Sequence, residues 1–304
     1  ARAGDPGALH RGVRVSVVVV QPGPRTTIQD LGRPGYAALG VCPSGAADRT
    51  GLRLANRLLG NAETCAALEC TMGGLVLQSD SAHWCVVTGA VADVTVDGHA
   101  VGMGAPFPVG PGSVVDIGPP RTGLRSYAAF AGGLDTRVLL GSRAEDTLGR
   151  LVPTPVTAGA VLPIGIPTAW LPRADHPVGS ALPGAGPLVL PVTAGPRRDW
   201  IDEMSWVAFT SATFAVTDRL DRIGVRVRGP ALTRRVTDEL PSEGLIRGAV
   251  QLPPSGEPIV FLADHPTTGG YPVIAVVDDP ATDLLAQARP GQAVRFARPP
   301  GAGT

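Results

Sequence analysis

Short runs of aliphatic and β-branched residues, each bounded by Gly, Pro or Asp, recur along most of the chain. They fall at Val15 to Val20, Trp84 to Thr88, Val94 to Val96, Val114 to Ile117, Leu188 to Val192, Val225 to Val227, Ile259 to Leu262 and Val273 to Val277. Runs this short, closed by turn residues, predict the strands of a barrel or sandwich. One segment keeps a different period: Arg49 to Leu59 places Leu52, Ala55, Leu58 and Leu59 on one helical face, with Asp48 to cap its start and Gly60-Asn61 its end. Shorter helical turns are expected at Ala62 to Leu68 and Asp283 to Ala288.

The pattern also repeats. Gly23-Pro24-Arg25 returns as Gly195-Pro196-Arg197, Asp48-Arg49 as Asp221-Arg222, Glu69 and Gly74 as Glu243 and Gly248, and Pro111-Gly112 as Pro290-Gly291, in one order and at spacings of 172 to 179 residues. Collinear matches predict two related domains. Residues 13–169 form the expected first domain, 170–186 a Pro- and Gly-bearing linker and 187–299 the second, with flexible tails at 1–12 and 300–304. Ser126 to Gly165 has no counterpart in the second copy. At Asp48 and Asp221 a helix start and a strand start compete for the same motif.

Composition then removes possibilities. The 304 residues carry 26 basic and 26 acidic side chains, so no net charge favours nucleic acid. Every basic residue is Arg, which excludes a Walker lysine, a Schiff base and biotinyl-lysine. Any phosphate contact must come from Arg forks or backbone N–H groups. The cysteines Cys42, Cys65, Cys70 and Cys85 show no C-x-x-C spacing, and no apolar run approaches the length of a membrane span. A reduced, cytoplasmic protein with no membrane contact and no signal peptide is expected.

Polar chemistry gathers in two segments. One runs from Pro241-Ser242-Glu243-Gly244 through Gln251 to Asp264-His265-Pro266-Thr267-Thr268-Gly269-Gly270-Tyr271-Pro272. Gly269-Gly270 would let successive N–H groups converge on an anion or carbonyl, Thr267 and Thr268 would add hydroxyl donors, and Asp264 could share a proton; the alternative is a tight hairpin with a satisfied Asp turn. The other is Thr26 to Tyr36 followed by Pro43 to Arg49, read as loop. There Asp30 and Arg33 could pair to lock the loop, or Asp30, Asp48 and Glu69 could line a cleft whose carboxylates take protons from an amide-type substrate, with Arg33 on its acid group. His83 and Cys85 share a strand face without further ligands, so packing is expected there and no metal site.

Together T-T-I-Q-D-L-G-R-P-G-Y (26–36), P-S-G-A-A-D (43–48), L-R-L-A-N-R-L-L-G-N (52–61), D-R-I-G-V-R (221–226), P-S-E-G (241–244) and T-T-G-G-Y-P (267–272) resemble the family of KipA, the C component of 5-oxoprolinase, formerly termed allophanate hydrolase subunit 2 and related to part of urea carboxylase. The likeness runs from about Val17 to Phe296. It implies a mainly β fold of two tandem cyclophilin-like β-barrels with a few short helices. It also implies a subunit, inactive alone, that joins a KipI-like B component and a LamB/YcsF-like A component in the ATP-dependent opening of the 5-oxoproline lactam to glutamate. ATP would be shared with a partner, and no biotin would be attached to this chain. On that likeness Asp30, Asp48, Glu69, Glu243 and Asp264 are expected to be catalytic, and Arg33, Arg222, Gln251, Thr267, Thr268, Gly269, Gly270 and Tyr271 to bind substrate. Two other roles follow from the same kinship: antagonism of a KipI-like inhibitor of a histidine kinase, and carboxyl transfer to a urea-like substrate. Ala47, His265 and Val273 depart from the commonest family pattern.

Overall fold

A computed structural model describes residues 15–167, 180–184 and 186–298. Both expected tails and most of the expected linker lie outside these residues. The chain is mainly β, as its periodicity predicts. Its first half carries a six-stranded and a five-stranded sheet, and its second half a closed seven-stranded barrel. The barrel closes through a parallel pair, Leu188–Ala194 beside Ala293–Ala297, while its other ladders are antiparallel. Each half has its own apolar core. Val17, Leu68, Leu77, Val87, Ile117 and Phe130 belong to the first, and Leu190, Phe209, Phe214, Val260, Ile274 and Phe296 to the second.

Helix α1 (Arg49–Leu58) starts where expected, because the Asp48 carboxylate accepts the Gly51 N–H at 2.8 Å and satisfies a donor of the first turn. Its apolar face, with Leu52 and Ala55, packs beside Val86, Tyr127 and Ala129. Helix α2 (Glu203–Ser211) was not expected from the sequence: its apolar residues run all round the helix and leave no periodic stripe to read. Helix α3 spans Asp279–Leu285, earlier than the expected Asp283 to Ala288, with Pro280 in its first turn. Leu68, placed by the sequence in a helical turn, lies in the strand Ala67–Thr71. Thr26 to Gln29, read as loop, form part of the strand Arg25–Gln29, in which Thr26, Thr27 and Gln29 are buried between neighbours.

The two halves share part of their element order, but two of the matched motifs occupy unlike places. In each half a strand (Arg25–Gln29, Leu188–Ala194), a 3-10 turn, a helix capped by Asp (Asp48, Asp202) and two strands follow in order. Asp221 is no helix cap. Its carboxylate accepts the Ile223 and Gly224 N–H groups at 2.7 and 3.1 Å and closes the turn between strands Phe214–Leu220 and Gly224–Arg228. Glu69 and Glu243 likewise occupy unlike places, a buried sheet strand and a two-residue ladder against Thr268–Gly269.

Candidate functional site

The two halves meet across a seam of buried charge centred on Arg222. Its guanidinium grips Asp264 through two nitrogens at 2.9 Å each, donates to Glu69 at 2.5 Å and to the Gly45 carbonyl at 2.6 Å. Arg222 and Asp264 belong to the barrel, whereas Glu69 and Gly45 belong to the first half. One side chain therefore joins both bodies. Glu69 also accepts the Ala47 N–H and the Tyr127 hydroxyl, both at 2.9 Å, and Tyr127 in turn accepts the Asp48 N–H. Asp264 takes the Ser44 hydroxyl at 2.5 Å and the N–H and hydroxyl of Thr147 at 3.0 and 2.7 Å.

A close approach of two loops makes this possible. A Cβ on Gly45, which has φ +90°, would lie 2.7 Å from the Gly32 nitrogen, so only glycine lets the segments around Asp30 and Ser44 touch. Ala47, on the same loop, packs into the core of the opposite barrel. The seam continues through Asp283, which accepts the Arg49 and Thr50 N–H groups at 3.0 Å each and the Arg247 guanidinium at 2.6 Å. Gln287 donates to the Asp48 carboxylate at 2.7 Å and accepts the Arg125 N–H at 2.9 Å.

Electrostatics follow from this packing. Burial alone would raise Glu69 and Asp264, but Arg222 overrides it at both, aided by Arg125 at Glu69, and holds each carboxyl below its ordinary range. Burial raises Asp48 to about 6 against the opposing hydrogen bonds of Gln287 and Gly51. Tyr127 is pushed up by burial and by the Glu69 and Asp48 carboxylates.

Asp30, Asp48 and Glu69, which the sequence could place along a cleft, are instead enclosed by the chain, as is Asp264. Asp30, Asp48, Glu69 and Asp264 are buried, and each is saturated by donors from the chain itself. Asp30 does not pair with Arg33: it accepts the Ser142 hydroxyl and the Gly32 and Arg143 N–H groups, while Arg33 donates to the carbonyls of Leu139 and Ala144. Glu243 stands apart at the surface in an ion pair with Arg197. Gly269 and Gly270 are not in the left-handed region and form no anion nest. A Cβ on Gly269 would lie 2.7 Å from Gln251 Nε2, so a larger residue there would displace the Gln251 side chain. Gln251 is buried and donates to the Tyr271 carbonyl, and the Thr267 carbonyl accepts the Leu245 N–H. Thr268 is exposed in the ladder, and Tyr271 with Gly270 lines a groove of about 590 Å³.

What opens beside the seam is a pocket of about 300 Å³, lined on one side by Arg25, Met72 and Arg125 and on the other by Asp221, Arg222 and Pro290. Arg222 is already bound to Glu69, Asp264 and Gly45, whereas Arg25 is exposed on the wall and suits a carboxylate or phosphate oxygen. Arg125 is fully buried, with two nitrogens donating to the Ala286 and Asp221 carbonyls and its Nε without a hydrogen-bond acceptor. Sequence reasoning passed over Arg125, Tyr127, Arg247, Asp283 and Gln287. A usable signal existed for Arg125, the one charged residue of the buried strand Thr122–Phe130. Among the described residues, no cluster of His, Cys, Asp and Glu could hold a metal ion.

Two β bodies locked by a charged seam, with a pocket beside the joint, define a protein of two subdomains. The chain belongs to the family of the carboxyltransferase domain, subdomain A and B, whose pattern matches residues 39–298. It is 36% identical to the C component of 5-oxoprolinase from Escherichia coli (strain K12) over 91% of this chain and 89% of that protein. The solved structure of TTHA0988 superposes with a TM-score of 0.85 at 34% identity, covering 94% of this chain and 56% of that one. Urea amidolyase of Kluyveromyces lactis gives 0.84 at 27% identity, over 93% of this chain and 18% of that one.

Proposed function

We propose that the chain is the C component of an ATP-dependent 5-oxoprolinase, acting with KipI-like and LamB/YcsF-like subunits. The observation that carries this reading is the near end-to-end match with the Escherichia coli protein, in contrast to the small fraction of urea amidolyase that the chain covers. The interdomain pocket supports it chemically. A lactam is a poor electrophile, and its opening is eased when the carbonyl oxygen is phosphorylated or polarised, so cations are needed where oxyanion charge develops. In this proposal Arg25 and Arg125 hold the substrate carboxylate or a phosphate, and Arg222, bound to Glu69, Asp264 and the Gly45 carbonyl, keeps the pocket wall in place. Asp30, Asp48, Glu69 and Asp264 then act as positioning residues.

Reconstitution with both partner subunits, 5-oxoproline and ATP tests the reading. Omitting this chain should abolish glutamate formation, and Arg25→Ala should raise KM for 5-oxoproline roughly ten-fold or more, the scale of a lost charge-assisted contact. Turnover that is indifferent to this chain would sink the proposal. Carboxyl transfer to a urea-like substrate is the second reading, favoured by the family match. With no lysine, the chain would need biotin on another protein, and biotin-dependent carboxylation in place of ATP-driven ring opening would establish it.

A further inference from the structure

We propose that Glu145 is the proton donor to the leaving nitrogen as the lactam opens, in a cleft that it shares with Arg25; the assignment rests on the proposed oxoprolinase reaction. Arg25–Gln29 is an edge strand of the five-stranded sheet, and its register sets Arg25, Thr71 and Arg125 in one row across three strands. Arg25 lines two openings. One is the pocket with Arg125, and the other is a cleft of about 460 Å³ bordered by Thr27, Glu145, Val152 and Pro155. The Ile28 carbonyl, on the open edge of that strand, accepts the Glu145 N–H at 3.0 Å, and the Glu145 carbonyl accepts Gln29 Nε2 at 3.1 Å. The backbone that carries the carboxyl is therefore tied to the strand.

The carboxyl itself is unspent. Half-buried Glu145 and exposed Arg25 border the same cleft, and neither side chain has a hydrogen bond or an ion pair among the described residues. The other charges near Glu145 are Arg222, Asp264 and Glu69, which are bound to one another. Burial pushes the Glu145 carboxyl up, Arg25 and Arg222 pull it down, and Asp264 and Glu69 act in the same direction as burial, so that it keeps its proton above the ordinary value of 4.5. A ligand with an acid group beside a ring N–H matches this pair, the acid on Arg25 and the nitrogen at Glu145. An amine leaves poorly unless it is protonated, and a carboxyl that keeps its proton suits that task. Once water has added to the carbonyl carbon, the C–N bond breaks and its electron pair passes to nitrogen, which takes the Glu145 proton. The added water returns a proton to Glu145, so the carboxyl is unchanged over the cycle.

Turnover of 5-oxoproline by the chain with both partner subunits and ATP, followed from acid through alkaline pH, tests the assignment. With the wild-type chain, kcat should fall as pH rises through the raised Glu145 value. Glu145→Gln should lower kcat roughly 100-fold, the scale of a lost general acid, erase that limb of the profile and change KM little. The melting temperature of the free Glu145→Gln chain should match wild type, because the carboxyl has no partner to lose. Glu145→Asp should keep the limb, with a rate between the two. A Glu145→Gln complex with wild-type kcat, or with reduced kcat and the limb intact, would overturn the proposal and leave the oxoprolinase reading standing. No glutamate from the wild-type complex would remove both.

Discussion

Asp283, on the last helix, caps the first helix of the opposite body: its carboxylate takes the Arg49 and Thr50 N–H groups at 3.0 Å each. Helix α1 thus has a cap in cis from Asp48 and another in trans from Asp283, which satisfies the Arg49 and Thr50 N–H groups across the joint. Replacing Asp283 by Ala should remove both this cap and the buried partner of Arg247, costing about 3–5 kcal/mol in denaturant unfolding. Asp279, which pairs with the same Arg247 but is 70% exposed, should cost under about 1 kcal/mol when changed to Ala. Equal losses for the two variants would refute the trans cap.

Arg222 joins Glu69 of one half to Asp264 of the other, so Arg222→Lys should not be conservative. A single ammonium cannot make the bidentate grip on Asp264 and also reach Glu69 and Gly45. Both Arg222→Lys and Asp264→Ala are expected to lower stability by roughly 3–5 kcal/mol, with turnover lost alongside the fold. Glu243→Ala, at a surface pair with Arg197, should alter stability by less than about 1 kcal/mol and leave turnover intact. Retained stability in Asp264→Ala would show that the seam is not the joint.

The seam should also shape the pH dependence of stability. Glu69 and Asp264 are held below their ordinary values of 4.5 and 3.8, so the stability they contribute is complete above those values and is lost as pH falls through the depressed ones. Asp48 has the opposite sign. Raised from 3.8 to about 6, it keeps its proton in the folded chain where the unfolded chain has lost it, so its contribution declines as pH rises from 3.8 to about 6. Asp48→Asn retains a good cap and removes that titration. Melting curves between pH 4 and 7 should show the variant gaining on the wild type with rising pH, by on the order of 2 kcal/mol in total. Parallel curves would mean that Asp48 does not titrate in this range.

The adjacent glycines 269 and 270 should respond differently to the same change. A Cβ at Gly269 would meet Gln251 Nε2 at 2.7 Å and Leu245 Cδ1 at 2.8 Å, whereas at Gly270 the nearest atom is the Leu240 carbonyl oxygen at 3.5 Å. Gly269→Ala should therefore cost about 1–3 kcal/mol through overpacking. Gly270→Ala should be nearly neutral by thermal melting. If Gly270 proves the more sensitive, a role for its backbone in binding would have to replace packing as the explanation.

The sequence by itself determined the local order. Short β-branched runs closed by turn residues marked strands such as Val94–Val96, Val114–Ile117 and Val273–Val277, and a capped 3.6-period face marked α1, where one side of the helix is apolar and the other is not. It also singled out Arg222, Asp264, Glu69 and Asp48 as residues in motifs, but not as partners. The strand Arg25–Gln29 and helix α2 lacked a readable stripe, one because polar side chains are buried by hydrogen bonding and the other because apolar residues surround the helix. Only the tertiary structure decided that Arg222 spans two bodies, that Asp283 caps a helix 233 residues away at Thr50, and that Glu243 stays outside. Such pairings join residues far apart in the chain, and hydrogen-bond geometry across a domain joint leaves no period in the sequence.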